Sequence, residues 1–204
     1  MALTHIRRGD VVFSVDAIGS ATHVVISTAQ RAGSAFKEGH ANSVHVAIAT
    51  GNQAEVIESV GGGLKMRQLK PGNYRIYCYR GPMENEIREF SVEVAESHVA
   101  QSAMTPNYGR YNKFRATLCP FRLSAGATTT AQNSQFGAGG EASSSFFCSN
   151  FVWRCYTAAA EAAGLVQLPI PNSQSQISPR DLEGLIIGAA NWHARNDGHS
   201  MAHP

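Results

Sequence analysis

Large hydrophobic residues alternate with histidine and alanine along residues 44–49, and a period of two residues is that of a β-strand. Similar alternation, or a short run of β-branched and aromatic residues, recurs at 10–14, 54–60 and 74–79. We therefore predict a small antiparallel sheet that contains these four segments.

The hydrophobic period changes to that of an α-helix between residues 147 and 164. One helical face collects Phe147, Phe151, Val152, Cys155, Tyr156 and Ala159, and Gly164 is placed to end the helix. Further helices are predicted at about 21–31, at 83–104 and after Ser178-Pro179. With the helix of residues 147–164 packed against the sheet, the predicted fold class is α+β.

The chain has 204 residues, 43% of them hydrophobic, and is long enough to bury one good core. It contains neither a visible repeat nor a linker, so we predict a single domain over residues 1–204. Residues 124–140 are low-complexity sequence and are predicted to form a mobile loop. Residues 194–204 carry few large hydrophobic side chains and are predicted to fray.

Charge and composition argue against several classes of protein. The formal net charge is +2 and no dense stripe of Lys and Arg is present, so nucleic acid is not an expected partner. No hydrophobic run approaches 18 residues, so no transmembrane segment is predicted. The N-terminus lacks the hydrophobic segment of a cleaved signal peptide. We expect synthesis in the cytoplasm, with export by a signal-independent secretion system left open, as is the oligomeric state.

The four cysteines have no CxxC spacing, so neither a zinc site nor a disulfide scaffold is indicated, and no metal or cofactor is predicted. Cys148 lies in or just before the first turn of its helix, where free N–H groups and the helix dipole favour a thiolate. It is therefore a candidate nucleophile, and the alternative is a small buried hydrophobic residue. Cys155 lies about 10 Å further along the axis and is interpreted as core.

The segment 43–60 brings a histidine and a carboxylate together. If Gly51-Asn52 is a two-residue hairpin loop, Ile48 pairs with Glu55 and His45 with Glu58, and paired residues share a face of the sheet. A loop at Asn52-Gln53 would instead make Glu58 the diagonal neighbour of His45, and a three-residue loop would separate them. The alternative for His45 is a polar residue on a solvated face of the sheet.

Four short motifs follow one another along the chain: GDVVF at 9–13, VHVAI at 44–48, VIES at 56–59 and FCSNFV at 147–152. Together they resemble the circularly permuted branch of the NlpC/P60 superfamily, which are papain-like thiol enzymes. The segment 178–182 resembles a motif near the end of these proteins. Asn150, where many relatives have an acidic residue, and Ala47, where they have glycine, depart from the pattern and bear on substrate specificity.

The resemblance implies a permuted papain-like fold with Cys148 as nucleophile, His45 as base and Glu58 as the residue that orients the imidazole. The implied reaction is attack on a carbonyl to form a thioester. The backbone N–H of Cys148 is the expected oxyanion donor. Tyr108 and Tyr111, in an aromatic segment, are candidate substrate-binding residues.

The expected function is that of a cysteine amidase or peptidase acting on cell-wall peptide or on protein, and the family includes peptidoglycan hydrolases and secreted effector toxins. A thiol acyltransferase or lipase acting on acyl lipids is the alternative within the same fold. A binding module that kept the fold and lost turnover is the alternative from another class.

Overall fold

The computed structural model describes residues 6–15, 43–61, 63–105, 108, 148–170 and 177–195. Within them, six strands form one sheet: β1 (Val11–Ser14), β2 (His45–Ala49), β3 (Glu55–Val60), β4 (Gly63–Gln68), β5 (Tyr74–Tyr79) and β6 (Trp192–Ala194). The three helices are α1 (Glu84–Met104), α2 (Cys148–Ala162) and α3 (Pro179–Gly188). The described part of the chain is therefore α+β, as predicted.

The strands lie in the order β4-β3-β2-β1-β5-β6, and every neighbouring pair is antiparallel. The four predicted strands and the helices expected at 83–104, 147–164 and after Ser178 are confirmed. The helix expected at 21–31 and the mobile loop expected at 124–140 lie outside the described residues.

Two strands were missed by the sequence analysis. In β4, Leu64 is buried and Lys65 is exposed, although no strand was assigned to this segment. Strand β6 pairs with β5, so Ala194 lies opposite Tyr77, and the N–H of Arg195 donates to the carbonyl of Ile76 at 2.8 Å. The predicted frayed tail included residues 194 and 195, and backbone pairing holds both of them in the sheet. Residues 196–204 lie outside the described range.

The core lies between one face of the sheet and helices α1 and α2. Hydrophobic residues of β1, β2 and β3 meet the predicted inner face of α2 there, including Phe13, Val46, Ile57, Phe151 and Tyr156. Ser178 caps α3 by accepting a hydrogen bond from the N–H of Asp181 at 3.1 Å. The predicted packing of the cysteine helix on the sheet is confirmed.

The register of the hairpin between β2 and β3 differs from the one set by a Gly51-Asn52 loop. Ile48 lies opposite Ile57 and not opposite Glu55. The observed pairing is that of the alternative register, in which Asn52-Gln53 is at the centre of the loop. The N–H of Thr50 donates to the carbonyl of Glu55 at 3.0 Å and closes this turn. Because the two registers differ by two residues, each side chain keeps its face, and the hydrophobic pattern cannot distinguish them.

Candidate active site

Cys148 is the first residue of α2, and its side chain is buried with 1% of its surface exposed. The first N–H groups of a helix have no partner within the helix, so the thiol lies at the positive end of the helix dipole. The first turn of α2 contains no acidic residue to oppose a negative charge there. This placement agrees with the position predicted from the sequence.

His45 is the first residue of β2 and is 3% exposed, so the alternative of a histidine on a solvated face of the sheet is wrong. Its Nε2 lies 2.8 Å from Oε2 of Glu58, a buried residue of β3. Extending the observed register places Val60 opposite His45, so Glu58 is a diagonal neighbour. The predicted contact is confirmed, while the direct pairing is wrong.

The thiol of Cys148 lies close enough to the imidazole of His45 for charge and hydrogen bonding to act between the two groups. Because Nε2 contacts Glu58, we assign the contact with the sulfur to Nδ1. Burial by itself would lower the pKa of His45, but the charge of a Cys148 thiolate, its hydrogen bond, and then Glu58 raise that pKa to about 10. The two contacts of the ring therefore favour the protonated form of His45.

Arg67 of β4 is a member of this group that the sequence analysis missed. Its Nη2 donates to Oε2 of Glu58 at 2.9 Å, and its Nε donates to Oε1. Burial would raise the pKa of Glu58, but hydrogen bonds from His45 and Arg67, followed by their charges, lower that pKa to about 2. A signal was present in the sequence, because Lys65 and Arg67 alternate with Leu64 and Met66 directly after the Gly61–Gly63 turn.

A second group of polar side chains anchors the residues on either side of the site. Ser43, two residues before His45, donates from Oγ to Oε2 of the buried Glu183 in α3 at 2.6 Å. The hydroxyl of Tyr77 donates to the other oxygen of Glu183 at 2.8 Å. Ser149, next to Cys148, donates to the carbonyl of Ile177 just before α3. The start of β2 and the start of α2 are thus both attached to the α3 region.

The other acidic residues that could have replaced Glu58 have partners of their own. Glu55 accepts a hydrogen bond from the hydroxyl of Thr50 at 2.9 Å, and Asp10 accepts one from Arg88, also at 2.9 Å. These contacts place Glu55 and Asp10 outside the group formed by Cys148, His45 and Glu58.

The structure describes only one of the two aromatic residues that are expected to bind substrate. Tyr108 is buried in the core, and its hydroxyl bonds to Nδ1 of His98 on α1. Its contact with a substrate stays a prediction, and Tyr111 lies outside the described residues. Cys155 is buried in the core as expected, and burial raises the pKa of its thiol.

Within the described ranges, no three His, Cys, Asp or Glu side chains are grouped so that they could hold a metal ion. None of the three helices described here has the length and hydrophobicity needed to cross a bilayer. The group Cys148–His45–Glu58 can, on its chemistry, take up the thiol proton on the imidazole and provide a nucleophilic sulfur. Searches of protein-family models, curated proteins and solved structures found no match to this chain.

Proposed function

We propose that this protein is a thiol hydrolase that cleaves an amide bond in a peptide or cell-wall peptide. The observation that supports the proposal is the buried row of side chains Cys148, His45 and Glu58, in which one imidazole contacts both a thiol and a carboxylate. A nucleophile, a base in contact with it and a third group bonded to the base are the parts that covalent catalysis needs.

The reaction follows from these contacts. The Sγ proton of Cys148 passes to Nδ1 of His45, and the sulfur attacks the carbonyl carbon of the amide. The C–N bond of the tetrahedral intermediate then breaks, and the imidazolium gives its proton to the departing amine, which leaves a thioester on Cys148. Water, deprotonated by His45, attacks the thioester and releases a carboxylic acid and the free thiol.

The backbone N–H of Cys148 is the proposed oxyanion donor. As the first N–H of α2 it has no acceptor within the helix, and the helix dipole favours a negative oxygen near it. One such donor contributes about 10²–10³-fold to the rate in other acyl-transfer enzymes.

We further propose that the fold is a circularly permuted papain-like fold of the NlpC/P60 kind. Two features support this: the histidine strand and the acidic strand are adjacent and precede the cysteine helix along the chain, and that helix packs against the same sheet. The family resemblance of the motifs at 9–13, 44–48, 56–59 and 147–152 supports the same proposal independently of the structure.

The test is an activity screen with a covalent readout. The protein is incubated with peptidoglycan fragments, peptides and phospholipids, and each reaction is followed by product analysis and by intact mass, which detects a thioester. We expect cleavage of an amide substrate and an acyl adduct in the wild type and in Cys155→Ala, and neither in Cys148→Ala. Cys155 is the matched control because it is a buried cysteine on the same helix, and any loss of stability in Cys155→Ala is measured separately by its melting temperature.

Two results would contradict the proposal. Cleavage of phospholipids with no amide product would assign the site to acyl-lipid chemistry. Absence of any product, together with a Cys148 that iodoacetamide does not alkylate at neutral pH, would favour a binding module.

A further inference from the structure

The carboxylate of Glu58 is held on two sides. His45 occupies one oxygen, Oε2, at 2.8 Å, and Arg67 reaches both oxygens with Nη2 and Nε. The side chain of Glu58 is 2% exposed, while that of Arg67 is 35% exposed, so the arginine reaches a buried carboxylate from the rim of the sheet. A guanidinium that contacts both oxygens fixes the plane of the carboxylate as well as its charge.

We infer that Arg67 is a positioning residue of the site, which orients Glu58 and keeps it ionised so that Glu58 can hold the His45 imidazolium against Cys148. The inference rests on the proposed function and deepens it. Arg67 contacts neither the sulfur nor the reacting atoms in this proposal and acts through Glu58.

A purely structural role for Arg67 would be to join β3 to β4, and the backbone already does this. The two strands pair over their full length, from Glu55 opposite Gln68 to Val60 opposite Gly63. Lys65, which lies directly opposite Glu58, is exposed, and it is Arg67, two pairs further along the ladder and on the same face, that reaches the carboxylate. The contact is therefore made by the residue whose guanidinium can bind two oxygens and not by the nearest cation.

The contact predicts a specific pH dependence. The ionisable groups around Glu58 are His45 on β2, Lys65 and Arg67 on β4, and Tyr74 on β5. Removing the Arg67 cation makes ionisation of Glu58 less favourable, so the carboxylate takes up a proton at a higher pH. A protonated Glu58 no longer stabilises the imidazolium that faces Cys148, so alkylation of Cys148 is expected to slow in the same pH range.

The experiment measures iodoacetamide alkylation of Cys148 as a function of pH, with mass-spectrometric assignment of the labelled cysteine. Arg67→Gln and Arg67→Lys are compared with Lys65→Ala and with the wild type, and each melting temperature is recorded. Lys65→Ala is the matched control, because it removes one cation from the same strand and the same face without removing a contact to Glu58.

The measured quantity is the acid half-point, the pH at which the rate of alkylation has fallen to half of its plateau on the acid side. We expect the acid half-point of Arg67→Gln to lie about 1 pH unit above that of the wild type, which is a tenfold change in proton concentration. Arg67→Lys should shift it less, since a lysine keeps the charge and loses the two-point contact. Lys65→Ala should leave the half-point where it is, because an exposed charge is strongly screened.

An acid half-point in Arg67→Gln equal to that of Lys65→Ala would overturn the inference, whether or not the melting temperature falls. If Arg67→Gln does not fold, Arg67→Lys becomes the test variant, and the inference then requires its acid half-point to lie above that of the wild type. The measurement is independent of substrate. A shift without turnover of any amide would therefore refute the proposed function alone, and turnover without a shift would refute the positioning role alone.

Discussion

Two buried carboxylates, Glu58 and Asp10, show how the same group is used in two ways in this protein. Asp10, just before β1, accepts hydrogen bonds from the N–H of Arg7 at 2.8 Å and from Arg88 of α1 at 2.9 Å, and Arg195 after β6 lies 3.1 Å away. Glu58 has one arginine, Arg67, and one histidine. Burial raises the pKa of Asp10 in spite of its cations, whereas the pKa of Glu58 is lowered to about 2, because His45 and Arg67 outweigh burial.

The difference lies in the partners. Guanidinium groups do not give up their protons, so the Asp10 cluster can attach β1, α1 and the segment after β6 to one another but cannot transfer a proton. The imidazole of His45 can gain or lose a proton, and it contacts a thiol as well as a carboxylate. A buried ion pair therefore indicates reactivity only where one partner titrates and a nucleophile is in contact with it.

The largest expected effect comes from removing the titrating partner or the nucleophile. Cys148→Ala and His45→Ala should each lower turnover by about 10⁶-fold, the loss seen for the nucleophile or base of another triad. His98→Ala is the matched control for the histidine: burial lowers the pKa of His98 to about 4, so it is neutral at pH 7 and has no place in the proposed reaction. Steady-state rates on an amide substrate measure these losses. Near wild-type turnover in Cys148→Ala or His45→Ala would contradict the assignment of reactivity to the Glu58 cluster and of stability to the Asp10 cluster.

The next effect is that of the orienting carboxylate. Glu58→Gln should lower turnover by about 10²–10⁴-fold, less than loss of the base, because the amide oxygen can still accept a hydrogen bond from the ring. Glu55→Gln, on the same strand and bonded to Thr50, is the control and should leave the rate unchanged. Equal losses in the two variants would show that charge on β3 in general matters and not the contact with His45.

Asp10→Ala should change stability and not chemistry. It leaves Arg88 and Arg195 without their buried carboxylate, and breaking a buried pair costs about 3–5 kcal/mol of the free energy of unfolding. Glu89→Ala, which breaks an exposed pair with Arg8, should cost about 1 kcal/mol or less. Denaturant unfolding measures both, and a loss of turnover in folded Asp10→Ala would contradict the separation of roles.

The smallest change expected is in the titration of one ring. In the wild type the carbon resonances of the His45 ring should titrate with a midpoint of about 10. In Cys148→Ala the midpoint should fall, because the charge and the hydrogen bond of Cys148 are removed while burial, which lowers the pKa, is retained. Histidine-labelled NMR spectra, assigned with His45→Gln, measure the shift. An unchanged midpoint would mean that Glu58 alone sets the charge state of the ring.

The sequence by itself determined the local parts of the site. The period of two along 44–50 and 54–60 places His45 and Glu58 on one face of the sheet in either of the two registers that keep that period. The helical period after residue 147 places Cys148 at a helix start. These properties depend on residues close together in the chain, so they can be read from the spacing of side chains.

Only the tertiary structure decided which distant groups meet. The hairpin register depends on the turn at 51–54, since a slip of two residues leaves the hydrophobic pattern intact. The contact of Arg67 with Glu58 requires the pairing of β3 with β4, and the anchoring of Ser43 by Glu183 joins residues 140 positions apart. The reason is that a carboxylate selects its partner by distance and geometry in the folded chain, and a sequence pattern specifies only which face that carboxylate occupies.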